Sequence, residues 1–204
     1  MAASRRRVVV ATRNKGKLAE IRGALAPLGW EFVAGEDLGS VPDVRETGAT
    51  FFDNAKLKAE AYRRHFGGMA ALADDSGLEV DALDGRPGVR SARFAGEQAS
   101  DADNNAKLLR ALGDLPLEKR TARFRSTIVF VDEGGASITA SGVCEGRIGF
   151  EPRGTGGFGY DPLFLPDATP GRTMAELSLQ QKNTISHRGD ALRAFLERLR
   201  GGRR

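Results

Sequence analysis

The sequence predicts an α/β protein built on a mixed sheet with flanking helices. Three observations carry this. A β-branched run, Val8 to Val10, passes directly into a segment whose apolar residues Leu18, Ile21, Leu25 and Leu28 recur at helical spacing. Residues 50–66, 101–112 and the C-terminal stretch repeat that helical period. Between them lies a β-rich middle in which Phe124, Ser126, Ile128 and Phe130 fall on one side of an alternating strand.

Taken in order, Val8 to Val10 read as a buried strand, and Asn14 as the N-cap of the helix that follows. "EFVAG" (31–35) is a short second strand, followed by a loop broken by Gly39, Pro42 and Gly48. The helix from about Thr50 to Phe66 carries Phe51, Ala55, Ala59, Tyr62 and Phe66 on one face. "MAALADD" (69–75) predicts a buried strand that ends on two carboxylates, and "LEVDAL" alternates like another strand. "DEGG" is a hairpin turn between two long strands, "ARFRSTIVFVD" and "ASITASGVCEGRIGF", and this meander is expected to form a second lobe. A short helix is expected near Met174 to Leu177, with Ser178 and Gln181 spaced as a capping box. The last helix places Leu192, Phe195, Leu196 and Leu199 on one face.

Composition narrows the class. A chain of 204 residues has ample material for a core, and no apolar run approaches the length of a membrane span. Val8 to Ala11 is too short for the apolar region of a signal peptide, and the lone Cys144 forms no internal disulfide, so the expected location is the cytoplasm. Cys144 reads as a buried small hydrophobe. The sequence pI near 9.5 invites a nucleic-acid reading. Yet six of the 31 basic residues are Arg5 to Arg7, Arg200, Arg203 and Arg204; without them 25 basic residues face 27 acidic ones. The basicity sits in the terminal tails, and zinc-ligand spacing, helix-turn-helix signals and aromatic-basic interleaving are all missing. Neither a nucleic acid nor a membrane is an expected partner.

Four groups of residues are able to do chemistry. The strand-to-helix junction "ATRNKGK" presents a helix N-terminus with Lys15 and Lys17, which attracts an anion. Asp74 and Asp75 close an apolar run, and Glu46 and Asp161 sit in glycine-punctuated loops. An Asp-Asp pair by itself is more often a turn or helix cap than a holder of Mg²⁺ through oxygen ligands; beside an anion-binding junction the metal reading is the better one. "GTGGFGYDP" has glycines at 154, 156, 157 and 159, which let backbone approach a ligand, and Phe158 or Tyr160 to stack on a base. It fits neither a Walker loop nor the dinucleotide fingerprint. "QQKNTISHRGDALRAF" puts the donors Lys182, His187 and Arg188 just before the last helix, as a solvated helix end or as a binding site.

In this order, "ATRNKGK", "ETGATFFDNAKLKA", "ADDSGLEVDALDGRPGVRSARFAG", "GTGGFGYDPLF" and "MAELSLQQKNTISHRGDAL" closely resemble the inosine/xanthosine triphosphate pyrophosphatase family. The match runs from residue 11 to about 192; the arginine-rich ends and Arg13 depart from it. The resemblance implies an elongated two-lobed α/β fold around a long, twisted mixed sheet, with the active-site cleft between the lobes, and a homodimer. It implies Mg²⁺-dependent hydrolysis of ITP, dITP and XTP to the nucleoside monophosphate and pyrophosphate. By the family pattern, Thr12, Arg13, Asn14, Lys15, Gly16 and Lys17 bind the triphosphate, with Asn14 and Lys17 closest to phosphate. Glu46 is a metal ligand, Asp75 a metal ligand and general base, and Ser76 a substrate contact. Phe158, Gly159, Tyr160, Asp161, Lys182, His187 and Arg188 hold base and sugar. Two rivals are a pyrophosphatase with pyrimidine preference and a nucleotide- or RNA-binding module without catalysis; the intact Lys17, Glu46, Asp74 and Asp75 speak against the second.

Overall fold

The computed structural model describes residues 5–201; Arg203 and Arg204 of the basic tail lie outside them. The strands are β1 (Arg7–Val10), β2 (Glu31–Ala34), β3 (Ala71–Val80), β4 (Thr121–Val131), β5 (Ser137–Ile148) and β6 (Phe164–Pro166). The α-helices are α1 (Lys15–Leu25), α2 (Phe51–His65), α3 (Asp101–Leu112), α4 (Leu179–Ile185) and α5 (His187–Gly201). Among the described residues the strands form one sheet in the order β2-β1-β3-β4-β5-β6. It is mixed, as expected: β1 pairs parallel with β2 and β3, while β5 pairs antiparallel with β6. No helix among these residues is long and apolar enough to cross a membrane.

Two compact units are present. The first comprises residues up to Asp75, Ser126–Gly142 and the segment from Ala191; the second comprises Ser76–Arg125 and Val143–Asp190. The expectation that the meander makes a lobe of its own is corrected here. Strands β4 and β5 are long enough, at 11 and 12 residues, to contribute to both units.

In the first unit the apolar run of β1 is explained by burial on both faces. Val8 and Val10 join Ile21 and Leu25 of α1 and Leu192, Phe195 and Leu199 of α5. Val9 and Ala11 join Ala55, Ala59 and Tyr62 of α2. The two-residue period of β3 repeats this division, Leu72 facing the α1 side and Ala71 and Ala73 the α2 side. Helix α2 starts where Thr50 and Asp53 cap each other reciprocally. The "DEGG" turn closes as expected, with the Asp132 N–H donating to the Ala136 carbonyl at 2.9 Å.

The second unit packs Leu78 and Val80 of β3, Leu108 and Leu112 of α3, Phe124, Cys144, Ile148 and Phe164 into one core. "LEVDAL" does not form a separate strand: Leu78 to Val80 continue β3, and Asp81–Leu83 turn into a 3-10 helix. The helix expected at 174–177 is likewise a 3-10 turn, Met174–Glu176. Burial pushes the Cys144 thiol up to about 12, with the charges of Asp167 and Glu145 adding to the effect. A thiol held protonated is a poor nucleophile. Cys144 in the native protein is therefore expected to resist a disulfide-exchange reagent that labels it promptly after unfolding in guanidinium; rapid labelling of the folded protein would contradict this packing.

Candidate active site

In the first unit the polar residues are placed by the strand and helix periods just described. Asp74 and Asp75 do not end a strand; they sit inside β3, nearly fully buried, because each receives a lysine from the helix covering its face. Asp74, on the α1 side, pairs with the Lys17 ammonium at 2.8 Å and accepts from the Ser126 hydroxyl. Asp75, on the α2 side, accepts from Lys58 Nζ at 2.8 Å and from Asn54 Nδ2 at 3.2 Å. The adjacent carboxylates thus face opposite ways and do not act as one two-carboxylate site. The carboxylate that joins Asp75 is Glu46, through the Lys58 ammonium, which donates to it at 2.9 Å and also to the Asp74 carbonyl at 2.9 Å. Burial raises the Asp75 carboxyl above its ordinary value despite the opposing charge of Lys58. Burial works against the Lys58 ammonium, yet Asp75 and Glu46 hold it above its ordinary value.

The junction before α1 is braced internally. The Asn14 N–H donates to Thr12 Oγ1 at 3.1 Å, and Asn14 caps the helix by accepting from the Lys17 N–H at 3.0 Å. Arg13, Asn14 and Lys15 are exposed, and Gly16 is half-buried in the first turn. The Glu46 loop is tied to α2 by Asn54, whose Oδ1 accepts from the Gly48 N–H at 2.8 Å. A Cβ on Gly48 would lie 2.6 Å from that of Asp53, so only glycine allows this approach.

The second unit gathers the other predicted residues. Asp161 Oδ2 accepts from Lys182 Nζ at 2.7 Å and from the Phe158 N–H at 2.9 Å. The Phe158 ring lies 4.6 Å from that ammonium and 5.7 Å from the Arg188 guanidinium. Arg188 donates to Ser76 Oγ at 2.8 Å, and His187 stacks on Phe124 with centroids 4.7 Å apart. Lys182 does not directly precede the last helix but sits on α4, a separate helix capped by Ser178 and Gln181. Ser186 then accepts from the Gly189 N–H, starting α5. Of the two aromatics considered for stacking, Tyr160 belongs to the core and donates its hydroxyl to the Ser91 carbonyl at 2.8 Å. Phe158, half-buried, is the ring presented beside the cations.

Residues 8–198 match the Ham1 family along nearly the whole chain. The chain belongs to the Ham1 family. A curated relative from Geobacter sulfurreducens, a dITP/XTP pyrophosphatase, is 54% identical over 95% of this chain and 96% of its own. Another from Exiguobacterium sibiricum, of the same name, is 51% identical over 92% of this chain and 93% of its own. Among solved structures, the Staphylococcus aureus Ham1 protein superposes with a TM-score of 0.82 at 38% identity, covering 96% of this chain and 99% of its own. A Mycobacterium abscessus nucleoside-triphosphatase, also titled dITP/XTP pyrophosphatase, gives 0.74 at 45% identity, over 95% and 99% of the two chains. The α/β fold with a mixed sheet, expected from the sequence, is thus that of Ham1 proteins, and the sheet has six strands among the described residues.

The residues this Ham1 chain brings together include several that sequence reasoning passed over. Lys58 joins Glu46 to Asp75, Asn54 ties the Glu46 loop to the same carboxylate, and Ser126 holds Asp74. A signal for Lys58 was present: it lies four residues after Asn54 and seven after Phe51, which places it at the edge of the buried face of α2. Among the described residues no three His, Cys, Asp or Glu side chains converge into a metal-holding group. Glu46 and Asp75 nevertheless offer oxygens to one cationic centre, the Lys58 ammonium. That donor set suits Mg²⁺, which is bound through one or two carboxylates with substrate phosphates and waters completing its shell.

Proposed function

We propose that this chain hydrolyses dITP, ITP and XTP to the nucleoside monophosphate and pyrophosphate, removing deaminated purines from the cytoplasmic nucleotide pool. The observation that carries the reading is the Glu46–Lys58–Asp75 cluster: a buried carboxylate, raised above its ordinary value by burial, beside charges suited to a polyphosphate. Family membership and the names of the relatives support the substrate class.

In this reading the first turn of α1, with Asn14 and Lys17, holds the phosphates. Asp75 takes the proton of the water that attacks the α-phosphorus; the new P–O bond forms as the bond to the β-phosphate's bridging oxygen breaks, and pyrophosphate leaves with that oxygen. Lys17 and Lys58 place fixed positive charge where phosphoryl oxygens gain negative charge. Mg²⁺, held by Glu46 and Asp75, would add to that neutralisation when bound. Phe158 stacks on the base, and Lys182, Arg188 and Ser76 offer it donors. A homodimer belongs to the reading on the resemblance alone.

The test is pyrophosphate release from ITP, XTP, ATP, dTTP and UTP, with Mg²⁺ and with excess chelator. Release from ITP and XTP that stops on chelation is expected. Full activity in chelator would remove the metal from the scheme, and faster turnover of dTTP or UTP would overturn the substrate class.

A further inference from the structure

We propose that Asp101 and Asn105 of α3 are positioning residues that clamp Gly159 and so aim the Phe158 ring at the base; this rests on the reading of Phe158 given above. The loop from Gly154 to Gly159 is poorly suited to hold a ring in place by itself. Gly154, Gly157 and Gly159 have φ of 82°, 74° and 62°, and glycines lose the most conformational freedom on ordering. The loop's first half is seated on Ala175, which Gly154 and Gly156 approach too closely for a Cβ and to which the Gly156 N–H donates at 3.0 Å, but Phe158 and Gly159 border a cavity of about 450 Å³ together with Asp101 and Asn105.

What fixes the loop is hydrogen bonding to its backbone. The Phe158 N–H goes to Asp161 at 2.9 Å. Beyond it, both polar backbone groups of Gly159 are taken by one helix: its N–H donates to Asp101 Oδ2 at 2.6 Å, and its carbonyl accepts from Asn105 Nδ2 at 2.9 Å. Asp101 and Asn105 are four residues apart and share a face of α3. That helix is itself rigidly started by the reciprocal Ser100–Asp103 cap. The residue after Phe158 is therefore held at two points by an element that takes no other part in the proposed site. Asn105 serves this at a cost: it is buried, its amide nitrogen goes to Gly159, and its Oδ1 has no hydrogen-bond partner among the described residues. A leucine of similar shape would suit the core better, so the amide is explained by what it holds rather than by stability.

The experiment measures kcat and KM for ITP, IMP affinity by calorimetry, and Tm for Asp101→Ala, Asp101→Asn, Asn105→Leu and, as a control on the reading, Phe158→Ala. Asn105→Leu is expected to keep or raise Tm while raising KM for ITP and weakening IMP about tenfold, within the range that base–aromatic stacking contributes, with kcat nearly unchanged. Asp101→Ala should act in the same direction, and Asp101→Asn, which keeps an acceptor oxygen, should recover most of the loss. If Phe158→Ala weakens ITP and IMP while Asn105→Leu and Asp101→Ala bind like wild type, the clamp is overturned and the reading of Phe158 stands. If Phe158→Ala itself changes nothing, both fall. A drop in Tm and kcat with unchanged KM would make the two residues merely structural and also overturn the proposal.

Discussion

Asp75→Asn is expected to lower kcat for ITP by at least 10²–10⁴-fold, the range for loss of a general base, while the protein stays folded. Asparagine keeps the shape and one acceptor oxygen, for Lys58 or for Asn54 but not both, and Lys58 keeps its ion pair with Glu46. It cannot take a proton. The stability effect has two opposing parts. Folding raises the Asp75 carboxyl above its ordinary value, chiefly through burial. Such a group costs stability at pH above its folded-state pKa, and the cost disappears as pH falls through that pKa and the carboxyl becomes neutral. The permanently neutral asparagine relieves that cost but takes from the buried Lys58 ammonium one of the two carboxylates that hold it above its ordinary value, so Tm at neutral pH should change little. If Asp75 is the base, the same shift should place the acid limb of the wild-type kcat/KM profile at higher pH than an ordinary carboxylate would. Steady-state kinetics and a thermal melt check both halves. An Asn variant with more than about a tenth of wild-type kcat, or one that melts far below it, would remove Asp75 from the role of base.

The pattern of this site explains what could be read in advance. Periodicity located β1, β2, α2, α3 and α5, because Val8 to Val10, Ala55, Ala59 and Leu192 are apolar where the fold buries them. The Asn14 and Ser178 caps were legible because capping is local in sequence. The course of β3 was not. Two adjacent aspartates look like the end of a strand unless their charges are met, and they are met by Lys17 and Lys58 from elsewhere in the chain. Lys58 in turn resembles any solvated helix lysine, since Lys56, two positions before it, is one. The separation of α4 from α5 depends on Ser186 and on Gly189, whose Cβ would lie 2.0 Å from the Asn183 carbonyl oxygen, an approach invisible to periodicity. Tyr160 was read with Phe158 as a stacking candidate because the two are near neighbours; its hydroxyl on Ser91 separates their roles.

Lys182→Met is expected to narrow the preference for ITP over ATP and, alone, to destabilise the fold. Selectivity would come from the match of donors and acceptors. The Lys182 ammonium and the Arg188 guanidinium flank the Phe158 ring and carry only donors. A purine with oxygen at C6 presents an acceptor, whereas adenine presents an amino donor, which leaves a required bond unmade. Discrimination of this kind reaches about 10⁴-fold. Asp161 is 2% exposed and pairs with Lys182 at 2.7 Å. Methionine would leave its carboxylate buried without its ammonium partner, a loss of about 3–5 kcal/mol, or on the order of 10 °C in Tm for a chain of this size. Adding Asp161→Asn removes the stranded charge while keeping an oxygen for the Phe158 N–H, so the double variant should regain most of the lost Tm. It should not regain selectivity, because the donor is still missing. Measuring kcat/KM for ITP and ATP beside Tm in wild type, the single and the double variant separates the two effects. Should the stable double variant discriminate ITP from ATP as the wild type does, Lys182 is a structural partner of Asp161 and the base is read by Arg188, Ser76 or the Phe158 loop.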